Sequence, residues 1–155
     1  MLIFKALHII SMVAMITVFS GGEFYYTFAI WRRDVRGLAW LHNLALRTRL
    51  PLFGLGLLLA GIVFGVLTAL TGGFNILDGW LIAAYVLVAA FFVNSILIGR
   101  PVVELGRKAV EAEAGRVPVD EVVGDMAATR ALFLFFPINA AIFAALILDM
   151  VLKPF

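Results

Sequence analysis

The sequence contains no cysteine and few charged residues, and these two absences set the first limits on its chemistry. Without cysteine the chain has no disulfide, no thiol nucleophile and no thiolate ligand for zinc or an iron–sulfur cluster, so redox chemistry would need a separate cofactor. Charged residues make up 14% of the chain and hydrophobic residues 64%, a balance too apolar for a soluble globular domain. The composition therefore predicts an integral membrane protein.

Sequence signatures of soluble enzymes are missing as well. The chain has no GxxxxGK[ST], no GxGxxG that would open a helix after a strand, no HExxH and no GxSxG. Phosphate-cradling loops, zinc proteases and serine hydrolases are therefore not expected, and no motif points to a specific reaction. The basic residues are spread along two segments and are partly mixed with acids, which argues against a nucleic-acid partner.

Four apolar runs are long enough to cross the roughly 30 Å of hydrocarbon in a bilayer as helices. They cover about residues 2–31, 50–70, 79–98 and 131–152. The second run has Pro51 in a first-turn position. The third is expected to stop at Gly99-Arg100-Pro101, because proline disfavours helix in the residue before it. The chain is predicted to be all-α, a single membrane domain over residues 1–155 that forms a four-helix transmembrane bundle packed through the small residues of its second helix.

Loops 32–49 and 99–130 separate the spans and set the expected orientation. They hold ten of the twelve lysines and arginines, and only Lys5 and Lys153 lie elsewhere. The positive-inside rule then places both loops in the cytoplasm and both termini on the extracytoplasmic side. Within the second loop, Glu104 and Lys108 are spaced i, i+4, which favours a short helix at the membrane surface.

Ionisable residues inside an apolar span are costly, so each one is a candidate site. Lys5 is close enough to the end of the first span to reach the headgroups and is interpreted as an anchor. His8 lies deeper, and its imidazole either hydrogen-bonds a neighbouring helix or binds a metal or haem iron. Met12 and Met15 lie on the same stripe of the helix and are either core residues or candidate ligands.

The second histidine of the sequence limits how a haem would be held. His42 lies in the basic loop, about a membrane thickness (~30 Å) from His8, so the two cannot clamp one haem. Three arrangements of a haem b remain open: a five-coordinate haem on His8, a sixth ligand such as Met12 or Met15, and ligation across a dimer.

A second candidate site lies near the other end of the first span. Glu23 is some 12 Å from Arg32 along the helix, too deep for easy snorkelling. Asn94 and Asn139 fall near the same layer if the helices bundle, so the three residues are predicted to form an intramembrane polar cluster. The Glu23 carboxyl group is either protonated and held by the asparagine amides, or it is a carboxylate that relays protons or binds a ligand. Because His8 and Glu23 are about 22 Å apart by helical rise, they are two separate sites.

Several segments together resemble a bacterial family of four-span integral membrane proteins, a domain of unknown function. They are Lys5-Ala6-Leu7-His8-Ile9-Ile10, Gly21-Gly22, the basic stretch after the first span, and Met150-Val151-Leu152-Lys153-Pro154. The resemblance covers nearly the whole chain and implies the bacterial cytoplasmic (inner) membrane. The first segment is also similar to HemJ-type protoporphyrinogen oxidases and to copper-resistance D membrane domains. In the HemJ-type family a first-helix histidine is implicated in haem binding, and the resemblance carries that role to His8.

The HemJ-type family also has a GWLHAK segment whose lysine matters for activity. The corresponding stretch here is residues 79–84, in which Ile82 and Ala84 replace the histidine and the lysine. Protoporphyrinogen oxidase activity is therefore not expected. Two hypotheses for function remain. The first is a haem-binding membrane protein with a redox or tetrapyrrole-handling role. The second is a non-catalytic accessory or structural subunit, which forms a homo-oligomer or packs against a larger membrane complex in the bilayer.

Overall fold

The structure, a computed structural model, describes residues 2–129 and 135–152. Over those residues it contains helices and no strand, in the order α1 (Leu2–Arg32), α2 (Val35–Thr48), α3 (Leu50–Thr71), α4 (Gly79–Glu113), α5 (Val119–Ala128) and α6 (Phe135–Leu152). Helices α1, α3 and α4 are long and apolar enough to cross a membrane, and residues Pro137–Leu152 of α6 form a shorter apolar helix. The all-helical class is thus confirmed, and the first three predicted spans fall within helices of the length and apolarity that crossing a membrane requires, while residues 131–134 of the fourth lie outside the described residues.

Helix α1 is the centre of the bundle within the membrane. It packs along α3 and also contacts α6, and α6 packs against α4. Three glycines of α3 make the close approach to α1 sterically feasible. A Cβ atom on Gly61 would lie 2.7 Å from Met12 Sδ, and one on Gly65 would lie 3.0 Å from the His8 ring. A Cβ on Gly54 would meet Phe19 at 3.0 Å. The predicted packing through the small residues of this helix is confirmed.

Two hydrophobic clusters hold the helices together. The membrane cluster joins α1, α3, α4 and α6, and its buried members are Met12, Met15, Leu58, Ala84, Phe91, Phe143 and Leu146. The basic-end cluster joins the end of α1 to α2, the second half of α4 and α5, and its buried members are Ala29, Ile30, Val35, Leu38, Ala39, Leu105, Ala109, Ala112, Val122 and Met126. We call the end of the molecule that carries this second cluster the basic end, because most of the arginines lie there.

The bundle is apolar on its outside as well. Only 17–18% of the residues in the most apolar windows of α1, α3 and α4 are buried, and leucine, isoleucine, valine and phenylalanine side chains cover the rest of these helices. Such a surface suits lipid, where exposed apolar side chains cost nothing and the backbone is satisfied within each helix. The helices are thus built to be solvated by hydrocarbon.

The predicted loop 32–49 contains an amphipathic helix, α2, which the sequence analysis did not predict. Its buried residues, Val35, Leu38, Ala39 and His42, recur at helical spacing and face α4. Asp34 caps the helix by accepting a hydrogen bond from the Gly37 amide at 2.8 Å. Arg33 and Arg49, at the two corners that join α2 to its neighbours, have left-handed backbone conformations with φ of 56° and 51°.

The prediction that the third apolar helix ends at Gly99-Arg100-Pro101 is wrong, because α4 runs unbroken through these residues to Glu113. Pro101 lacks the amide that would donate to the Leu97 carbonyl, but the next three turns of α4 bury apolar side chains against α2 and α5. This burial outweighs one lost hydrogen bond. The expected surface helix after Pro101 exists, therefore, as part of α4.

The ion pairs of that segment differ from the predicted i, i+4 pair. Lys108 Nζ lies 2.6 Å from Asp125 Oδ2 on α5 rather than beside Glu104. Arg107 pairs with Glu104 and Glu111 along its own helix. Helix α5, which the sequence reading left within the loop, is therefore tied to α4 by a salt bridge as well as by Val122 and Met126 in the basic-end cluster.

Candidate functional site

A cavity of about 270 Å³ lies where the two hydrophobic clusters meet. Residues from four helices line it: Phe19, Glu23 and Tyr26 of α1, His42 of α2, Pro51 of α3 and Gly99 of α4 are among them. Most of its surface is apolar. Gly22 of α1 also faces it, and a Cβ atom there would meet nothing within 4 Å. Helix α1 is continuous through Gly21 and Gly22.

A chain of three hydrogen-bonded side chains forms beside this cavity. Asn94 Nδ2 of α4 donates to Asn139 Oδ1 of α6 at 2.8 Å, and Asn139 Nδ2 donates to Glu23 Oε1 of α1 at 2.6 Å. Asn139 is completely buried. The structure thus brings together the three residues that the sequence placed in one layer, and the chain of hydrogen bonds links three helices.

Two oxygens at the cavity are left without a partner. Glu23 Oε2 and Ser95 Oγ are both buried and have no hydrogen-bond partner among the residues that the structure describes, and both residues line the cavity. A buried polar atom with no partner costs about 1–3 kcal/mol. Buried polar groups in native proteins are almost always paired, with protein atoms, with ordered water or with a ligand.

His42 is a lining residue that the sequence reading did not connect with Glu23. It is buried on α2 and packs so closely on Gly106 of α4 that a Cβ atom on that glycine would overlap its ring. Burial lowers the pKa of His42 below its usual value of 6.5. Its position at i+7 from Val35, on the buried face of an amphipathic helix, is the sequence signal that could have identified it.

The cavity opens sideways between α2, the start of α3 and α4. Leu46, Pro51 and Val103 line it and are exposed, so they form the rim of the opening. These rim residues neighbour Arg47, Arg49 and Arg100 in the sequence. The opening is therefore lined by apolar side chains. It lies close to the basic end, beside the apolar outer surface of the bundle.

His8 lies elsewhere, in the half of α1 far from the basic end. Its Nδ1 atom is 2.7 Å from the carbonyl oxygen of Gly61. Because a carbonyl oxygen only accepts, Nδ1 donates this hydrogen bond, and in a neutral imidazole the lone pair is then on Nε2. Met12, which also contacts Gly61, and Met15 are buried in the membrane cluster. Both methionines are packing residues of the helix interface in this structure.

Residues typical of a metal centre do not converge in the described ranges. No group of three or more histidine, aspartate or glutamate side chains that could hold a metal ion occurs within residues 2–129 and 135–152. In comparisons with known proteins, no family model, no curated protein and no solved structure matches the chain.

Proposed function

We propose that the protein binds a small, mostly apolar molecule inside the membrane, in the cavity beside Glu23. One observation carries the proposal: Glu23 and Ser95 line the same cavity, and Glu23 Oε2 and Ser95 Oγ are buried without a hydrogen-bond partner among the described residues. Ligand pockets combine an apolar lining with a few converging polar groups that orient the ligand. The cavity beside Glu23 has this composition.

The position of the cavity supports access from the bilayer. Its rim of Leu46, Pro51 and Val103 is exposed on the side of the bundle. An apolar molecule dissolved in lipid would reach the cavity without crossing water or the headgroups. By the distribution of lysine and arginine, the opening belongs to the cytoplasmic half of the bilayer. We therefore propose binding or carriage of a lipid-soluble compound rather than capture from solution.

Filling the cavity tests the proposal, and Gly22→Leu is suited to it. The added side chain would enter the cavity from α1, because a Cβ atom at Gly22 meets no neighbour within 4 Å. Gly21→Leu is the matched control, since Gly21 has the same open space but does not line the cavity. Both changes replace a helical glycine with a good helix former, so neither should weaken α1.

The measurement is equilibrium dialysis of three radiolabelled probes into nanodiscs of phosphatidylcholine, with empty nanodiscs subtracted. The probes are 1-adamantylamine, 1-adamantanol and 1-adamantanecarboxylate, which share one compact apolar body. We expect saturable binding of at least one probe to the wild type and to Gly21→Leu, and a loss of about 10-fold or more in Gly22→Leu, in line with the cost of overpacking. Equal binding by the wild type and Gly22→Leu, or no probe bound above the empty nanodiscs, contradicts the proposal.

Haem binding through His8 is a second candidate, favoured by a different observation. The hydrogen bond from Nδ1 to the Gly61 carbonyl fixes the imidazole tautomer and leaves Nε2 available. Iron-ligating histidines commonly have such a backbone partner on the second nitrogen. His8 would hold the iron, and the bound haem would supply one-electron redox chemistry. The buried positions of Met12 and Met15 favour ligation by the histidine alone.

The absorption spectrum of protein purified in mild detergent with haem supplied tests this candidate. We expect a Soret band that disappears in His8→Ala and persists in Met12→Leu, a change that conserves the volume of the packing residue. A colourless wild type rejects haem binding, and a shifted band in Met12→Leu would assign the sulfur as a ligand.

A further inference from the structure

The charges that line the cavity are of one sign. Among the described residues that line it, Glu23 is the only acid and none is lysine or arginine. The nearest basic group in the lining is His42, whose pKa is lowered by burial and whose imidazole is therefore neutral at neutral pH. An ionised carboxylate away from water is stable only when it is paired. The described residues supply Glu23 with an amide hydrogen bond at one oxygen, and none of those that line the cavity is a lysine or arginine counter-ion.

The hydrogen-bond chain determines which oxygen of the Glu23 carboxylate is left for a ligand. Asn139 donates to Oε1 and is itself held by Asn94, while Oε2 has no donor among the residues that the structure describes. Ser95 follows Asn94 directly on α4, and its unpartnered hydroxyl also lines the cavity. The link between α1, α6 and α4 therefore fixes the Glu23 carboxylate at the cavity, and Ser95 is a second oxygen-bearing residue of its lining. A group that carries several N–H donors and a positive charge would satisfy both.

Two aromatic side chains in the lining of the cavity also favour a cationic ligand. Phe19 and Tyr26 line the cavity on the α1 side, one turn to either side of Glu23. The faces of aromatic rings attract cations, most strongly where water is excluded. Phe19 is held in place by an edge contact with Phe91, with ring centroids 5.4 Å apart. An acid between two aromatic rings in an apolar cavity is a combination that favours organic cations over neutral or anionic molecules.

From these three features we infer that the ligand is a lipophilic ammonium: a compact apolar body with a protonated amine that pairs with Glu23 Oε2 and donates to Ser95 Oγ. The inference rests on the proposed function and specifies its ligand class. It assigns Glu23 as the counter-ion, Ser95 as a second acceptor, and Phe19 and Tyr26 as the aromatic walls. The hydrocarbon body would fill the apolar part of the cavity towards the rim.

The three adamantane probes test the ligand class directly, because they differ only in the polar group. At neutral pH the amine is protonated, as a lysine side chain is. We expect the wild type to bind 1-adamantylamine about 10- to 100-fold more tightly than 1-adamantanol, the range typical of a hydrogen bond to a charged group. The carboxylate should bind most weakly. Zwitterionic phosphatidylcholine is used so that the lipid surface does not itself concentrate cations.

Glu23→Gln is the decisive variant, since glutamine keeps an acceptor for Asn139 and removes the charge. We expect it to lose the preference for the amine while it still binds 1-adamantanol, and this retained binding shows that the variant is folded. Asp149→Asn removes an acid from α6 that does not line the cavity and should keep the preference. Ser95→Ala should reduce amine binding by less than Glu23→Gln does.

The outcomes separate this inference from the proposed function. If 1-adamantanol binds as tightly as the amine and its binding is lost in Gly22→Leu, the cavity binds ligands and the ammonium inference is wrong. Retention of amine preference in Glu23→Gln also overturns the inference. If no probe binds in a manner sensitive to Gly22→Leu, the proposed function itself fails.

Discussion

At the scale of single residues, the three-residue chain Asn94–Asn139–Glu23 is both a structural tie and part of the candidate site. Asn139 accepts from one helix and donates to another while it is fully buried. Hydrogen bonds between helices in membranes are worth about 0.6–2 kcal/mol, because the separated helices find other partners. A central residue with two such bonds should nevertheless matter more than either bond alone, since its removal leaves two buried groups unpaired.

Asn139→Leu tests this role. The substitution conserves size but leaves Asn94 Nδ2 and Glu23 Oε1 without partners, so we expect a loss of about 1–3 kcal/mol in the free energy of unfolding. Unfolding by dodecyl sulfate in mixed micelles measures it, and Ala141→Leu, at an exposed position of the same helix, should change little. A double-mutant cycle with Asn94→Leu should show coupling, and strictly additive losses would contradict the chain.

The residues of this cluster were predictable from the sequence because each is a polar residue in an otherwise apolar run. Counting positions from the arginines at the span ends placed Glu23, Asn94 and Asn139 at similar depth. The same counting could not identify Ser95 and His42 as neighbours of Glu23. Serine is common at helix interfaces in membranes, so Ser95 did not stand out. His42 lies on α2, and the arginines in and around this helix favoured the prediction of a loop.

At the scale of elements, the limits of the spans were harder to predict than their existence. The apolar runs gave α1, α3 and the first part of α4, since hydrophobic length alone determines what can cross a bilayer. The end of α4 was missed because proline was treated as a local stop signal. Tertiary packing in the basic-end cluster compensates for the amide that Pro101 lacks. The overlooked α2 has a clear amphipathic pattern in Val35, Leu38, Ala39 and His42.

At the scale of the whole molecule, the chain has two hydrophobic clusters in two different surroundings. The membrane cluster is surrounded by helices with lipid-facing surfaces, whereas the basic-end cluster is covered by α2 and α5, which carry charged residues. The cavity lies at their junction. Changes in the basic-end cluster should therefore alter access to the cavity without unfolding the membrane cluster.

Acidification should loosen the basic-end cluster first. Burial lowers the pKa of His42 in the folded protein below 6.5, so the unfolded cluster binds a proton at a higher pH than the folded one does. The free energy of unfolding is therefore highest above about pH 6.5, where His42 is neutral in both states. It decreases as the pH falls from there through the lower pKa that His42 has in the folded protein. Amide hydrogen exchange of α2 at pH 7.5 and 5.5, corrected for intrinsic rates, should show lower protection at pH 5.5.

His42→Asn is the control for this effect, since asparagine does not titrate. Its α2 amides should be equally protected at both pH values, whatever their absolute protection. A wild type with unchanged protection of α2 between the two pH values would show that His42 does not govern the cluster.

The left-handed corners at Arg33 and Arg49 have a consequence that belongs to biogenesis rather than to the folded state. A non-glycine residue in that conformation costs about 1 kcal/mol, and glycine would remove the cost at each corner. Arginine at both positions instead keeps two positive charges directly beside membrane-crossing segments, where they influence which way a nascent helix inserts. Glycine at either corner is therefore expected to make the folded bundle slightly more stable and to weaken the charge bias that orients the nascent chain.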